Sequence, residues 1–330
     1  MRKAIILLIL SCCFMKTGYA QDPIFTQYFL FPETLNSGFT GFQETTKAGL
    51  LHRTQWPDLN FRVDSDFATF NTWVPSMKSG IGVSALSQRE RFSNFSLTQA
   101  NVSYAYKVDL DDRWTFRPGV EVGYGFKSFN FNNLVLEDQI NLNSGTVNPS
   151  SVDALSINDK VNYLDLSASL LVHDENLWLG VSVKHLNRPD ISLTTDGNVE
   201  LQPLGTITAG YELELADVMD IKWLPYSTKF LLTGNYMQQG DFNRFDLGGM
   251  FVIDTFYMGA IAATNPNRQT ENGHLLTSIN LLGGLQYENF KFGLSYDINV
   301  SNLGRTGGIY ELSLIYVLDQ NAACFGCPGY

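Results

Sequence analysis

The chain has 330 residues, of which 44% are hydrophobic and 13% aromatic, with a net charge of −11 at pH 7. Such an acidic chain lacks the Lys and Arg excess that a phosphate backbone demands, so nucleic acid is excluded as a partner. Mean hydropathy is −0.06, and beyond residue 20 no apolar run approaches the roughly 18 residues of a membrane-spanning helix.

Residues 1–20 read as a signal peptide. Arg2 and Lys3 form a basic start, Ala4 to Met15 an apolar stretch, and Gly18-Tyr19-Ala20 supplies the small residues a signal peptidase recognises, placing cleavage before Gln21. The alternative is lipoprotein processing at Cys12, after Ile9-Leu10-Ser11. Removing residues 1–20 takes away Arg2, Lys3 and Lys16 and no acid, so the net charge falls from −11 to −14. Cys12 and Cys13 leave with the signal. Cys324 and Cys327 remain as a local disulfide or as two idle thiols, since a zinc site would need two further ligands.

Residues 21–44 are expected to form a periplasmic N-terminal segment, 45–318 a barrel, and 319–330 a periplasmic tail. The barrel rests on alternation. Phe290, Phe292, Leu294, Tyr296, Ile298 and Val300 share one parity, opposite Lys291, Gly293, Ser295, Asp297 and Asn299. Strand side chains point to opposite faces with a period of two, and a tilted strand of about ten residues crosses a bilayer. The same pattern recurs at 114–127, 163–172, 207–215 and 310–318.

In chain order the candidate strands are 45–53, 60–73, 79–88, 94–108, 113–128, 163–173, 177–186, 206–216, 227–238, 242–252, 256–264, 275–287, 290–299 and 308–318. Parity slips in 60–73, and 227–238 is weakly patterned, so twelve or sixteen strands are the alternatives. An even number of antiparallel strands, with long and tight connections alternating, fits an all-β transmembrane barrel of about fourteen strands. Short turns then face the periplasm, which puts both termini there.

Polar-parity residues would line the lumen. Arg53, Gln55, Arg117, Glu121, Lys127, Asp165, Lys184, Arg244, Asp246, Lys291, Asp297 and Glu311 mix both signs, which suits a lumen cross-linked by charged pairs; one sign alone would have argued for ion selection. The alternative is a water-filled channel lined by solvated side chains. Trp56, Trp114, Tyr124, Tyr310 and Tyr316 fall on the lipid parity near strand ends, as an aromatic girdle does. His185-Leu186-Asn187-Arg188-Pro189-Asp190 closes a strand and enters a long loop, where Pro189 stops the ladder and Arg188 with Asp190 can pin the loop base or meet an exported partner. Loop 129–162 holds Leu134, Val135, Leu136 and Ile140, which could fold inward as a plug or cap, or meet a partner. Turn 217–226 holds Trp223 and Tyr226, a candidate docking point or headgroup contact.

Several of these stretches, in order, resemble the PorP/SprF family, outer-membrane proteins of the type IX secretion and gliding-motility system of Bacteroidota. They are Gln21-Asp22-Pro23-Ile24-Phe25-Thr26-Gln27-Tyr28, Arg53-Thr54-Gln55-Trp56-Pro57, Leu136-Glu137-Asp138-Gln139, the His185 to Asp190 run, Ser295-Tyr296-Asp297, and Gly308 to Leu314. Phe31-Pro32-Glu33-Thr34-Leu35-Asn36-Ser37-Gly38 keeps the family's next stretch loosely. The resemblance implies a non-enzymatic role: docking a secreted surface adhesin through its C-terminal domain, or coupling to periplasmic parts of the machinery. Membrane lipids would surround it.

On this reading Arg53, Gln55, Arg117, Glu121, Asp297 and Glu311 form a lumen network. Asp138, Gln139, His185, Arg188, Asp190, Trp223 and Tyr226 are candidate partner or loop-anchor contacts. A porin-like passive channel is the competing function; fourteen strands make a barrel smaller than porins of 16–18 strands. A barrel enzyme would need a nucleophile or carboxylate pair with a basic partner at the rim. His52, His173, His185 and His274 are scattered, without a Gly-x-Ser-x-Gly elbow or metal spacing, so no catalytic, cofactor or metal site is expected.

Overall fold

The computed structural model describes residues 22–42, 44–129, 139–141, 144, 146–149, 159–194, 197–218, 225, 227–267, 275–300 and 306–318. Among them, fourteen long strands follow one another. They are β1 (Lys47–Gln55), β2 (Val63–Val74), β3 (Ser79–Glu90), β4 (Ser96–Tyr106), β5 (Thr115–Ser128), β6 (Lys160–His173) and β7 (Leu177–Lys184). The second half comprises β8 (Leu204–Glu214), β9 (Lys229–Gln239), β10 (Phe242–Ile253), β11 (Phe256–Thr264), β12 (Leu276–Tyr287), β13 (Phe290–Asn299) and β14 (Ile309–Val317).

Each strand pairs antiparallel with its neighbours in sequence, and β1 pairs with β14 from Lys47↔Val317 to Gln55↔Ile309. The sheet therefore closes into an up-and-down barrel with no free edge. All fourteen expected strands are present. Parity slips near residue 60 because β2 begins only at Val63, and residues before it turn. The strand expected at 206–216 ends at Glu214, where a short helix, Leu215–Val218, takes over.

The apolar parity faces outward. Leu294 is 55% exposed, Phe292 44% and Val122 46%, which is possible for such side chains only where lipid takes the place of water. No described helix is long and apolar enough to cross a membrane. The long connections, 129–159, 185–203, 265–275 and 300–308, share one end of the barrel, the loop end. Connections 75–78, 174–176, 254–255 and 288–289 share the other, the turn end.

The core lies inside the barrel, built around residues 22–42. Phe25, Tyr28, Phe29, Leu30, Phe31, Leu35 and Phe39 are buried against wall residues including Leu51, Phe67, Leu171, Trp178 and Tyr257. Phe29 meets Tyr257 edge-on, at 5.9 Å between ring centres, and Phe31 meets Phe67 at 6.0 Å. This corrects the expectation of an N-terminal segment outside the barrel. Burying each large apolar side chain is worth about 1.5–3 kcal/mol, and this stretch has too many of them to stay in water. Of the candidate plug residues in loop 129–162, Leu134, Val135 and Leu136 lie outside the described residues, while Ile140 is exposed in a small hairpin, Ile140–Asn141 with Thr146–Val147.

The segment runs the length of the lumen. Asp22 bonds to His185 and Gln239 at the loop end, whereas Lys47 starts β1 at the turn end. Asp22 and Val317 consequently lie at opposite ends of the barrel, so the two ends of the described chain do not share one face as expected. Two short 3-10 turns, Pro32–Thr34 and Ser37–Phe39, shape the path, and the Asn36 side chain caps the second by accepting the Gly38 N–H at 2.8 Å. Wall glycines give it room. A Cβ on Gly119 would stand 2.6 Å from the Gly38 nitrogen, and one on Gly80 would collide with the Thr40 carbonyl.

Candidate functional site: the filled lumen

Three charged clusters hold the segment to the wall. In the first, Arg53 of β1 and Glu311 of β14 are register partners, with Nη1 2.5 Å from Oε1. Glu311 also accepts the backbone N–H groups of Thr26 at 2.8 Å and Gln27 at 3.0 Å, and the Ser295 hydroxyl at 3.3 Å. Asp297 accepts the Thr26 hydroxyl at 2.7 Å and lies 3.8 Å from Arg53, which donates to Gln55 Oε1 at 3.4 Å. Arg53, Gln55, Asp297 and Glu311 thus come together as the sequence reading expects. Charge-assisted bonds of this kind are the strong ones, and leaving one such group buried and unpaired is costly.

Arg117 and Glu121 stand apart from that cluster. Arg117 is 1% exposed and donates to the Gly38 carbonyl at 3.0 Å and the Thr40 carbonyl at 2.7 Å, with its guanidinium over the Phe42 and Trp73 rings. It clamps the lower part of the segment through backbone carbonyls and aromatic faces. Glu121 is buried on β5, between register partners Ser103 and Ser167.

The second cluster surrounds His185, which follows β7 and is buried. Its Nδ1 lies 2.9 Å from Asp165 Oδ1 and its Nε2 2.8 Å from Asp22 Oδ2. Burial disfavours the imidazolium, but the flanking Asp22 and Asp165 carboxylates outweigh it and hold the pKa up to about 9. Burial likewise opposes charge on Asp22, yet His185 keeps its carboxyl below the usual range. His185 therefore anchors the N-terminal segment as well as the loop. In the third cluster Lys47 Nζ reaches Glu33 Oε2 and the Leu30 carbonyl, both at 3.1 Å.

The loop-end candidates separate. Asn187 hooks the edge of β6, donating to the Leu164 carbonyl at 2.7 Å and accepting the Leu166 N–H at 3.0 Å. Asp190 pins the loop by accepting the N–H groups of Ser192 and Val199, at 2.9 and 3.0 Å. Arg188 takes no part in this pinning and is exposed, with a left-handed φ of 43°. Ile191 and Leu201 fold back onto Tyr163, giving the loop end a small apolar cluster of its own. Gln139 donates to the Asn148 carbonyl within the exposed hairpin. Asp138, Trp223, Tyr226, Cys324 and Cys327 lie outside the described residues.

Asp22, Thr26, Gln27, Glu33 and Asn36, which tie the segment to the wall, are the positions that sequence reasoning missed. The available signal was the apolar content of residues 22–42 with two acids, Asp22 and Glu33, set among them, a composition unsuited to an exposed tail. Among the described residues no group of three or more His, Cys, Asp or Glu could hold a metal ion.

No curated protein matches the chain. Solved structures similar to it include a mutant porin of Rh. blastica, with 9% identity over 83% of this chain and 99% of that one and a TM-score of 0.35. CdiB from Acinetobacter baumannii has 10% identity over 83% of this chain and 60% of that one, with a TM-score of 0.44. The KdgM porin has 7% identity over 82% and 98%, with a TM-score of 0.34. The sequence model of a family described as type IX secretion system membrane protein PorP/SprF matches residues 17–316. A closed barrel with a lipid-facing apolar band, matched over nearly its whole length, is a multi-pass outer-membrane protein, and the chain belongs to the PorP/SprF family of type IX secretion system membrane proteins.

Proposed function

We propose that the chain serves type IX secretion as a non-conducting docking barrel, holding a secreted surface adhesin by its C-terminal domain at the loop end. The filled lumen carries this reading: residues 22–42 occupy the barrel interior and are hydrogen-bonded to β1, β2, β4 to β9, β13 and β14. A passive diffusion channel, the competing function, has no comparable use for such a core. With its interior committed to its own chain, the barrel offers partners its two ends, and the loop end presents a pinned loop over the Tyr163, Ile191 and Leu201 cluster. Coupling to periplasmic parts of the machinery would instead use the turn end. Isolation from native membranes in mild detergent, with identification of what travels with the protein, tests the proposal. Recovery of one large surface adhesin supports docking; recovery of periplasmic machinery alone contradicts it in favour of coupling, and no companion contradicts both.

A further inference from the structure

Near the loop end, the seam between the N-terminal segment and the β9–β13 wall is built unlike the rest of the lumen. Asn235 stands opposite Asp246 in register, and Asn280 opposite Asp297; all four are at most 2% exposed. Arg244 Nε reaches Asp246 Oδ1 at 2.7 Å, and Tyr28 of the segment lies within electrostatic reach of Asp246 and Arg244, with its hydroxyl beside the Thr233 and Asn235 side chains. Yet both polar atoms of Asn235 and both of Asn280 have no protein partner, nor do Tyr28 Oη, Arg244 Nη2, Asp246 Oδ2 and Asp297 Oδ1. Left bare, eight buried polar atoms would cost as much as the whole net stability of a typical domain.

The chemistry of these atoms selects the occupant. Donors (Asn235, Asn280 and Arg244 nitrogens, Tyr28 hydroxyl) balance acceptors (two amide oxygens, two carboxylate oxygens). A cation is opposed by the Arg244 guanidinium already on Asp246, and an anion by the two carboxylates. Water, which donates and accepts in equal number, satisfies the set.

We propose that a cluster of bound water molecules fills this seam and bridges Tyr28 to Asn235, Arg244, Asp246, Asn280 and Asp297. The tip of the segment is then solvated on one flank, while its lower part is packed dry. There Asn36, equally buried, donates to the Leu170 and Val181 carbonyls at 3.1 and 3.3 Å. Along β9–β13 the tip is tied to the wall by the Thr26 hydroxyl on Asp297 at 2.7 Å and the Asp22 N–H on Gln239 at 3.0 Å, and the bound water fills the gaps between these bonds. This goes beyond the docking proposal and does not depend on it.

The test is nuclear magnetic resonance of the full chain in lipid nanodiscs, with 15N in the asparagine side chains. Asn235→Asp and Asn280→Asp each remove one amide signal for assignment, with Asn235→Ser and Asn280→Ser as substitutes should either variant fail to fold. Cross-peaks from the Asn235 and Asn280 amide protons to water, absent for Asn36, are expected. Loss of contact with water at both positions, as at Asn36, would overturn the proposal. So would a crystal structure in which Asn235 and Asn280 bond directly to Asp246 and Asp297, whereas solvent peaks between them would support it.

Discussion

Arg53 and Glu311 face each other across the line where β1 meets β14, so the pair that closes the barrel also holds the segment inside it. Glu311→Gln should leave Arg53 without its principal counter-charge in a buried setting, at a cost of about 3–5 kcal/mol. Heat-modifiability on gels and thermal unfolding in detergent would register the loss. Arg53→Met combined with Glu311→Met should cost less than the single Glu311 change, because neither charge then remains stranded.

Asp22, His185 and Asp165 form a latch whose pH window follows from its shifts. His185 is raised from 6.5 to about 9, so its stabilising contribution is full below 6.5 and is lost as pH climbs through about 9. Asp22 is lowered from 3.8, so its contribution is present above that value and fades as pH falls below it. Measured relative to a cysteine at exposed Leu186, which cancels the intrinsic growth of thiolate with pH, a cysteine placed at Pro23 should therefore react slowly with an aqueous maleimide between those limits and at least several-fold faster above pH 9. His185→Gln should abolish the alkaline rise; an unchanged rise would remove the latch from the explanation.

The backbone of the segment approaches the wall too closely for a side chain at Gly119. Gly119→Ala should push the segment away from β5 and destabilise the barrel by about 1–3 kcal/mol, in the range of overpacked cores. Gly205→Ala is the control, since its Cβ would meet nothing nearer than the Gln238 carbonyl oxygen at 3.9 Å. Equal melting temperatures for the two variants would contradict the close approach.

Sidedness can be read in intact cells. With the long loops outside, a membrane-impermeant maleimide should label Leu186→Cys and spare Glu288→Cys. Pro23→Cys should then be labelled without opening the outer membrane, more slowly than Leu186→Cys at neutral pH and faster above pH 9, because Asp22 reaches the loop end. Labelling of position 23 only after the outer membrane is opened would contradict the course of the segment through the lumen.

Much of this architecture is legible in the sequence because lipid and lumen impose opposite demands on alternate residues. Phe292 and Leu294 had to be apolar outside, and Arg53, Asp297 and Glu311 polar inside, so parity alone sorted them. Pairing was harder. Nothing in the spacing of Arg53 and Glu311 reveals that β1 and β14 meet, since closure is a property of the whole sheet. The segment from Asp22 to Phe42 escaped because it forms neither strands nor long helices: its period follows the irregular walls it fills, and its hydrogen-bond partners are scattered over ten strands. The sequence marks His185 as a candidate loop anchor, but its second carboxylate, Asp22, comes from that same irregular segment.

Current through planar lipid bilayers tests the filled lumen most directly. The full chain should remain electrically silent at voltages where porins conduct, and a variant lacking residues 22–42 but still folded as a barrel should open steady channels. Porin-like conductance from the intact chain, unaltered by that deletion, would contradict a lumen occupied by its own N-terminal segment.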